Sequence, residues 1–251
     1  MYYFIFFMLS IFSFTSTAIA EDLVVGTTSG YAPYVSLNAD GDYEGFDIDV
    51  AKALADKLGR RLVIKDFGSM PALILALKQN KADALIWSIS ITPERQNQMA
   101  MVYYQGEKVT SLPLLFWGDI PDNIKGLEDL ANNPKALISV EAGSFQENVL
   151  VSVPGLNLKL VDKVSDAILE LKYGKSLAVL VDNSMKSIYM KKFPKLKSLD
   201  VQLPESQQSM GVGICINPNS KDLIAAVEKT VNELFSDGTI AILETKWKLK
   251  E

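Results

Sequence analysis

Short apolar runs alternate along the chain with longer stretches whose apolar positions recur every three or four residues. A bounded apolar run marks a buried strand and the wider period an amphipathic helix, so the alternation predicts α/β layers. Leu23-Val24-Val25 is a first strand that ends in Gly26-Thr27-Thr28-Ser29-Gly30. Residues 47–58 carry a helical period, with Gly59 as the C-terminal stop. Leu62-Val63-Ile64 is a strand, residues 71–79 a helix and residues 82–87 a strand, and Pro93 opens another helix. After Tyr103-Tyr104-Gln105-Gly106 the pattern restarts with an apolar run at 112–117. Strands at 136–140, 158–161 and 177–181 then alternate with helices at 144–151, 165–173 and 183–192. A late strand at 212–216 precedes two closing helices, near 220–235 and 237–247.

One internal echo adds information. Residues 77–88 and residues 171–182 share the same order: the end of an amphipathic helix, a short turn, a buried strand, then a polar residue. Ser88 and Asp182 thereby fall at equivalent points, the carboxyl ends of strands in two similar α/β units. Ligands of open α/β sheets bind at such ends, and two facing units would enclose a cleft.

Composition narrows the chemistry. The chain has 251 residues, 48% of them hydrophobic, enough for one large or two small cores. Its net charge of −5, with no basic stripe, argues against nucleic acid as a partner. The absence of histidine removes the commonest general base and transition-metal ligand. No metal-spaced cluster or glycine-rich phosphate loop is present, so neither metal nor cofactor is expected. The lone Cys215 lies in an apolar run and reads as a core residue. Residues 1–20 carry no charge and end in Ala18-Ile19-Ala20, which reads as a secretory signal peptide with its cleavage site. The alternative is an uncleaved anchor, since about 20 apolar residues can span a bilayer. No cysteine lies near the cut, so no lipid is expected there. No later segment is long and apolar enough to cross a membrane, and the mature protein is expected to be extracytoplasmic and soluble.

Four stretches carry candidate chemistry, each with a structural alternative. In Thr92-Pro93-Glu94-Arg95, Thr92 suits an N-cap, Pro93 the first helical position and Glu94 the positive helix end. Arg95 then stands beside a loop presenting Ser88 and Ser90, a set that suits a carboxylate; the alternative is a capped helix with a solvated arginine. Asp182 can pair with an ammonium, cap the next helix, or both. Gly143-Ser144-Phe145-Gln146-Glu147 leads from a strand to a helix start whose free N–H groups suit an anion, or is a capping loop. Tyr31, in the loop after the first strand, can stack on a ligand or cover the loop. Asp47 reads as a helix cap, with Phe46 stapling that helix to the core.

Together these pieces resemble the polar amino-acid family of bacterial periplasmic solute-binding proteins, which feed ABC importers. The resemblance runs from about Leu23 to Leu249. It rests on Gly26-Thr27 with Tyr31-Ala32-Pro33-Tyr34, on Glu44-Gly45-Phe46-Asp47-Ile48-Asp49-Val50-Ala51, and on Asp83-Ala84-Leu85. Ser90-Ile91-Thr92-Pro93-Glu94-Arg95, Gly143-Ser144-Phe145-Gln146-Glu147, and Asp237-Gly238 with Lys246-Trp247 complete it. Within the family, the 143–147 stretch, Tyr173-Gly174-Lys175-Ser176 and Leu203-Pro204-Glu205 are most similar to chlamydial arginine-binding proteins.

The resemblance implies a two-lobe, type II periplasmic-binding-protein fold of α/β class, with two crossover strands forming a hinge. It implies lobe one at 22–106 plus 206–251 and lobe two at 107–205. It further implies that Arg95 grips the α-carboxylate of a free amino acid, assisted by Ser90, Ser144 and Phe145. Asp182 would hold the α-ammonium with Ser88 and Ser90, and Thr28, Tyr31, Met70, Trp87 and Gln146 would line the side-chain pocket. An ABC importer permease would be the partner, the periplasm the location and the monomer the state. Arginine is the best expectation for the ligand. Thr28 and Val35, however, stand where related cationic-ligand binders carry acids, which leaves room for glutamine or another polar amino acid. An enzyme of the cyclohexadienyl dehydratase kind shares the scaffold. It would need an acid or base in the cleft beyond those assigned to binding, and the sequence offers none in view. A receptor's sensory domain is the third alternative.

Overall fold

The computed structural model describes residues 21–131 and 133–250; the signal-peptide reading of residues 1–20 lies outside the described residues. The chain builds a first half from β1 (Asp22–Thr27), a short β2–β3 hairpin (Ser36–Leu37 and Tyr43–Glu44), α1 (Phe46–Leu58) and β4 (Arg61–Asp66). It continues through α2 (Met70–Lys78), β5 (Ala84–Leu85), α3 (Pro93–Gln96) and β6 (Ala100–Val109). The middle section holds β7 (Ser111–Trp117), β8 (Leu137–Glu141), α4 (Phe145–Val151), β9 (Asn157–Val161) and α5 (Val164–Lys172). After it come β10 (Ala178–Leu180), α6 (Asn183–Lys192) and β11 (Leu196–Gln202). A turn of 3₁₀ helix at Glu205–Gln207 leads into β12 (Ser209–Ile216), α7 (Lys221–Ser236) and α8 (Thr239–Lys246).

These strands form two five-stranded sheets, ordered β4-β1-β5-β12-β6 and β11-β7-β10-β8-β9. The internal echo in the sequence has a topological counterpart. β5 runs parallel to β1 and antiparallel to β12, and β10 runs parallel to β8 and antiparallel to β7. Each lobe thus carries an equivalent central strand, flanked by one parallel and one antiparallel neighbour. The chain passes between the sheets twice, from β6 into β7 and from β11 back to β12.

Period-two alternation divides the core. Along β7, Leu112, Leu114 and Phe116 point into one apolar cluster with Ile138, Val140 and Leu180, while Leu115 points into the other. In the first lobe α1 buries Phe46, Ile48, Val50, Ala51 and Leu54 and stops at Gly59, whose φ of 64° is the left-handed cap that glycine adopts without strain. At the chain's end, Trp247 Nε1 and Lys246 Nζ both donate to Asp49 Oδ2, at 2.8 and 2.6 Å. That contact ties the last turn to α1 and accounts for the paired Asp49 and Lys246-Trp247 elements of the sequence. Among the described residues no helix is long and apolar enough to cross a membrane.

Three readings of the sequence need correction. Asp47 does not cap α1. Gly45 is the N-cap, and Asp47, fully buried at the second helical position, accepts a 2.7 Å hydrogen bond from the Tyr104 hydroxyl. The strand expected over 82–87 pairs only at Ala84–Leu85, because Ser88 takes a positive φ of 47° and the chain turns away. β6 and β11 went unpredicted: both mix charged and apolar residues without clean alternation.

Candidate ligand-binding cleft

The 88–95 stretch resolves by alternation. Ile89 and Ile91 are buried, and their backbone pairs with β12 through Ile91 N to Gly211 O and Gly213 N to Ile89 O. Ser88 and Ser90 line the space between the lobes. Thr92 Oγ1 accepts from the Arg95 N–H at 3.3 Å, capping α3 and fixing Arg95 in its first turn. Ser88 is held from behind, its N–H donating to Tyr104 Oη, which in turn donates to Asp47. Asp47 is therefore a positioning residue for the loop. Burial pushes its carboxyl up to about 7, against the hydrogen bond from Tyr104.

Arg95 is 4% exposed. Its Nη1 donates to Ser90 O and its Nη2 to Gly143 O, both at 3.0 Å. The second bond crosses between the lobes. A guanidinium has five N–H donors, so three remain for a further acceptor. Burial pulls its pKa down from the ordinary arginine range, as desolvation of a cation must. On the opposite wall Asp182 precedes α6, and Oδ2 accepts from Tyr31 Oη at 3.1 Å and from Gln146 Nε2 at 2.8 Å. Its side chain caps no N–H of α6, so the capping alternative falls away. Burial raises its pKa, opposed by the hydrogen bonds from Gln146 and Tyr31 and by Arg95.

At the Gly143–Glu147 turn, Ser144 Oγ caps α4 by accepting from Glu147 N, and Glu147 accepts from Gly143 N. The capping reading therefore holds, and it leaves the first N–H groups of α4, at Phe145 and Gln146, without an intrahelical acceptor. Gly143 has a φ of 72°, and a Cβ there would stand 3.2 Å from Met70 Cγ and 3.3 Å from Pro71 in the facing lobe. Glycine is required both by that backbone and by the close approach of the lobes. Asn148 Nδ2 to Glu94 Oε2 at 2.8 Å adds another cross-lobe bond.

The free volume in the cleft is about 20 Å³, far below the roughly 300–1,000 Å³ usual for small-molecule sites, so the lobes must part to admit a ligand. The cleft brings together Tyr31, Met70, Trp87, Ser88, Ser90, Arg95, Ser144, Phe145, Gln146 and Asp182. Tyr31 and Trp87 form an aromatic corner, ring centroids 5.7 Å apart, and the buried Trp87 Nε1 has no acceptor among the described residues. Thr28 does not line the cleft: it is 2% exposed, and the chain turns after it so that Tyr31 reaches the space instead. Val35 is wholly buried and hydrogen-bonds Tyr31 through its backbone, so it too stands away from the cleft. Sequence reasoning missed Glu141, the last residue of β8, which lines the cleft. Burial and the neighbouring Asp182 push its carboxyl up to about 8.

Two α/β lobes enclosing a small polar cleft, a buried cation on one wall and a half-buried acid on the other, define a two-lobe solute-binding protein. Residues 23–250 match the bacterial extracellular solute-binding proteins, family 3, and the chain belongs to that family. A probable ABC transporter arginine-binding protein of Chlamydia trachomatis serovar D is 34% identical over 230 residues, spanning 92% of this chain and 87% of the relative. An ancestral arginine-binding protein, solved with arginine bound, superposes with a TM-score of 0.77 at 31% identity, covering 90% of this chain and 97% of that one. An ancestral arginine-binding protein solved bound to glutamine likewise superposes with a TM-score of 0.77 at 31% identity, over 91% of this chain and 98% of that one. An ancestral amino acid-binding protein, a precursor of cyclohexadienyl dehydratase, superposes at 0.74 with 28% identity, covering 90% of this chain and 94% of its own.

Proposed function

We propose that this protein captures a free L-amino acid, arginine foremost, between its lobes and delivers it to the permease of an ABC importer. The observation that carries the reading is the placing of Arg95 and Asp182 in one small cleft, each on a different lobe. A zwitterion laid between them finds a cation for its carboxylate and an acid for its ammonium. Arg95 takes the carboxylate, with the N–H groups of Ser90 and Phe145 and the capped turn at Ser144 completing the anion site. Asp182 takes the ammonium, joined by Ser88 and Ser90. Tyr31, Met70, Trp87 and Gln146 surround the side chain.

Lobe one comprises roughly residues 22–106 and 206–251 and lobe two roughly 107–205. They close as a hinge about the two crossing strands. The protein works as a monomer in the periplasm, exported by the signal peptide at 1–20, and returns its ligand chemically unchanged. Arginine is favoured by the chlamydial and ancestral relatives named above. A glutamine reading has its own support in Trp87 Nε1, which has no acceptor among the described residues and is a donor suited to an amide oxygen.

Calorimetric titration of the protein with arginine, lysine, glutamine, glutamate and histidine tests the proposal. At least one should bind with a micromolar or tighter Kd, about −8 kcal/mol. Binding of none of them would refute it, and recovery of a chemically altered ligand would point to the enzyme alternative.

A further inference from the structure

We infer that Glu141 reads the charge of the ligand side chain, pairing with a guanidinium or ammonium when ionised and hydrogen-bonding a neutral amide when protonated. The inference rests on the reading that an amino acid lies between Arg95 and Asp182, and it names what distinguishes one amino acid from another there.

Three observations lead to it. Glu141 lines the same cleft as Arg95, Asp182, Tyr31 and Trp87. Among the described residues its carboxylate has no cation within ion-pair distance, whereas other partly buried acids such as Glu170 and Glu244 are paired with lysines. The two positions where the sequence suggested looking for an acid, Thr28 and Val35, do not reach the cleft. Glu141 is thus an acid in the cleft that neither the carboxylate clamp nor the ammonium clamp uses.

Charge balance gives the acid its role. Arg95 contributes one positive charge and Asp182 one negative. A neutral zwitterion such as glutamine matches that pair, and an ionised Glu141 would leave one negative charge unbalanced in a largely enclosed cleft. A ligand with a cationic side chain adds one positive charge and is balanced only when Glu141 is ionised. Unbalanced buried charge is costly, so the proton on Glu141 must follow the ligand: retained with glutamine, released to solvent with arginine.

The groups around Glu141 fit this coupling. Asp182, at the start of α6, disfavours its ionisation, while Arg95 on α3 and Lys163 at the start of α5 favour it, as does the Val164 backbone N–H. Tyr31 and Tyr189 also feel its charge, and neither is ionised near neutrality. With burial the largest influence, the carboxyl titrates at about 8. A cationic ligand pulls that value down, so a proton leaves as the ligand enters.

The test is calorimetry of wild type and Glu141→Gln with arginine, its neutral isostere citrulline, and glutamine, at about pH 6 and about pH 8.5 in buffers of different ionisation enthalpy. Wild type should bind arginine at least about tenfold more tightly at the higher pH, releasing a proton at about neutral pH, while citrulline shows no such slope. Glu141→Gln should lose arginine affinity by about thirtyfold or more at the higher pH and lose the pH slope. Its citrulline and glutamine affinities should stay within about threefold. An arginine-to-citrulline ratio unchanged by the substitution overturns the role of Glu141 while leaving the amino-acid clamp intact. Equal arginine and citrulline affinity in wild type does the same. Wild type that binds none of the three, nor lysine, glutamate or histidine, overturns the clamp itself, and wild type that binds only glutamate overturns the role of Glu141. The proton release is read on wild-type protein, so the outcome stands even where the variant folds poorly.

Discussion

Replacing Arg95 by alanine is the sharpest test of the clamp. Of the five N–H donors on the guanidinium, one goes to Ser90 O and one to Gly143 O. Three remain, enough for a two-pronged hold on a carboxylate. Each charge-assisted hydrogen bond is worth about 1.5–3 kcal/mol, so losing two costs about 3–6 kcal/mol of binding. That corresponds to a Kd weaker by about 10²–10⁴-fold. The variant also loses the bond to Gly143 that crosses between the lobes, which favours the upper half of the range. Arg95→Lys keeps the charge but not the fork and should fall between wild type and alanine. Calorimetry with arginine measures both, and thermal melting of the unliganded variants checks that they fold. Burying a guanidinium is itself costly, so the melting midpoint should move little. Affinity of a folded Arg95→Ala within about threefold of wild type would refute the reasoning, because a buried two-pronged contact cannot be worth so little.

Gly143→Ala should weaken ligand binding by about tenfold, since the added Cβ meets Met70 and Pro71 across the cleft in a backbone with φ of 72° and opposes closure; titration calorimetry reads it, and unchanged affinity would show that the lobes close less tightly than this. Tyr104→Phe should destabilise the protein by about 1–3 kcal/mol in urea unfolding, because it strips Asp47 Oδ1 and the Ser88 N–H of their partner together. The pH profile of the ligand-free protein follows from carboxyls shifted in opposite directions. Asp47 at about 7 and Glu141 at about 8 are raised, so the stability they contribute is full below their ordinary range and lost as pH rises through those values. Asp237, held at about 2 mainly by its hydrogen bond from Lys57, contributes stability that is lost as pH falls toward that value. Melting midpoints should therefore peak at about pH 4–6 and decline toward pH 9, and Glu141→Gln should flatten the alkaline decline; a midpoint that climbs steadily to pH 9 would contradict the raised carboxyls of both groups.

Much of this was legible in the sequence because it depends on local rules. Thr92-Pro93-Glu94-Arg95 announces a capped helix start, and the cap forms as written, with Thr92 Oγ1 on the Arg95 N–H. Gly59 stops α1 where a left-handed residue was needed. The echo of residues 77–88 in 171–182 placed Ser88 and Asp182 at matching strand ends, and β5 and β10 occupy matching places in their sheets. What escaped depended on partners distant in sequence. Asp47 looked like a cap because it opens a helix; its real partner, Tyr104, lies 57 residues on, in a strand whose mixed residues hid it. Thr28 and Val35 stand where the resemblance to cationic-ligand binders led one to expect an acid, yet neither side chain is among those lining the cleft.

Glu141 shows where the missing information lay. Parallel strands of an α/β sheet present their carboxyl ends to the ligand. β1 leads to Tyr31, β4 to Met70, β5 to Trp87 and Ser88, and β10 to Asp182, all of which line the cleft. β8 runs parallel to β10 and ends in Glu141. On its own, one acid closing the run Leu137-Ile138-Ser139-Val140 reads as a solvated strand end. Once Asp182 is accepted as a cleft residue, the parallel neighbour of its strand must deliver its own last residue to the same place, and that residue is a carboxylic acid. The chemistry that sets the ligand's side chain therefore follows from strand order rather than from any motif. Both acids of the cleft come from the second lobe and its one arginine from the first. Opposite charges therefore stand on the two walls, which is the arrangement the proposed zwitterion would bridge.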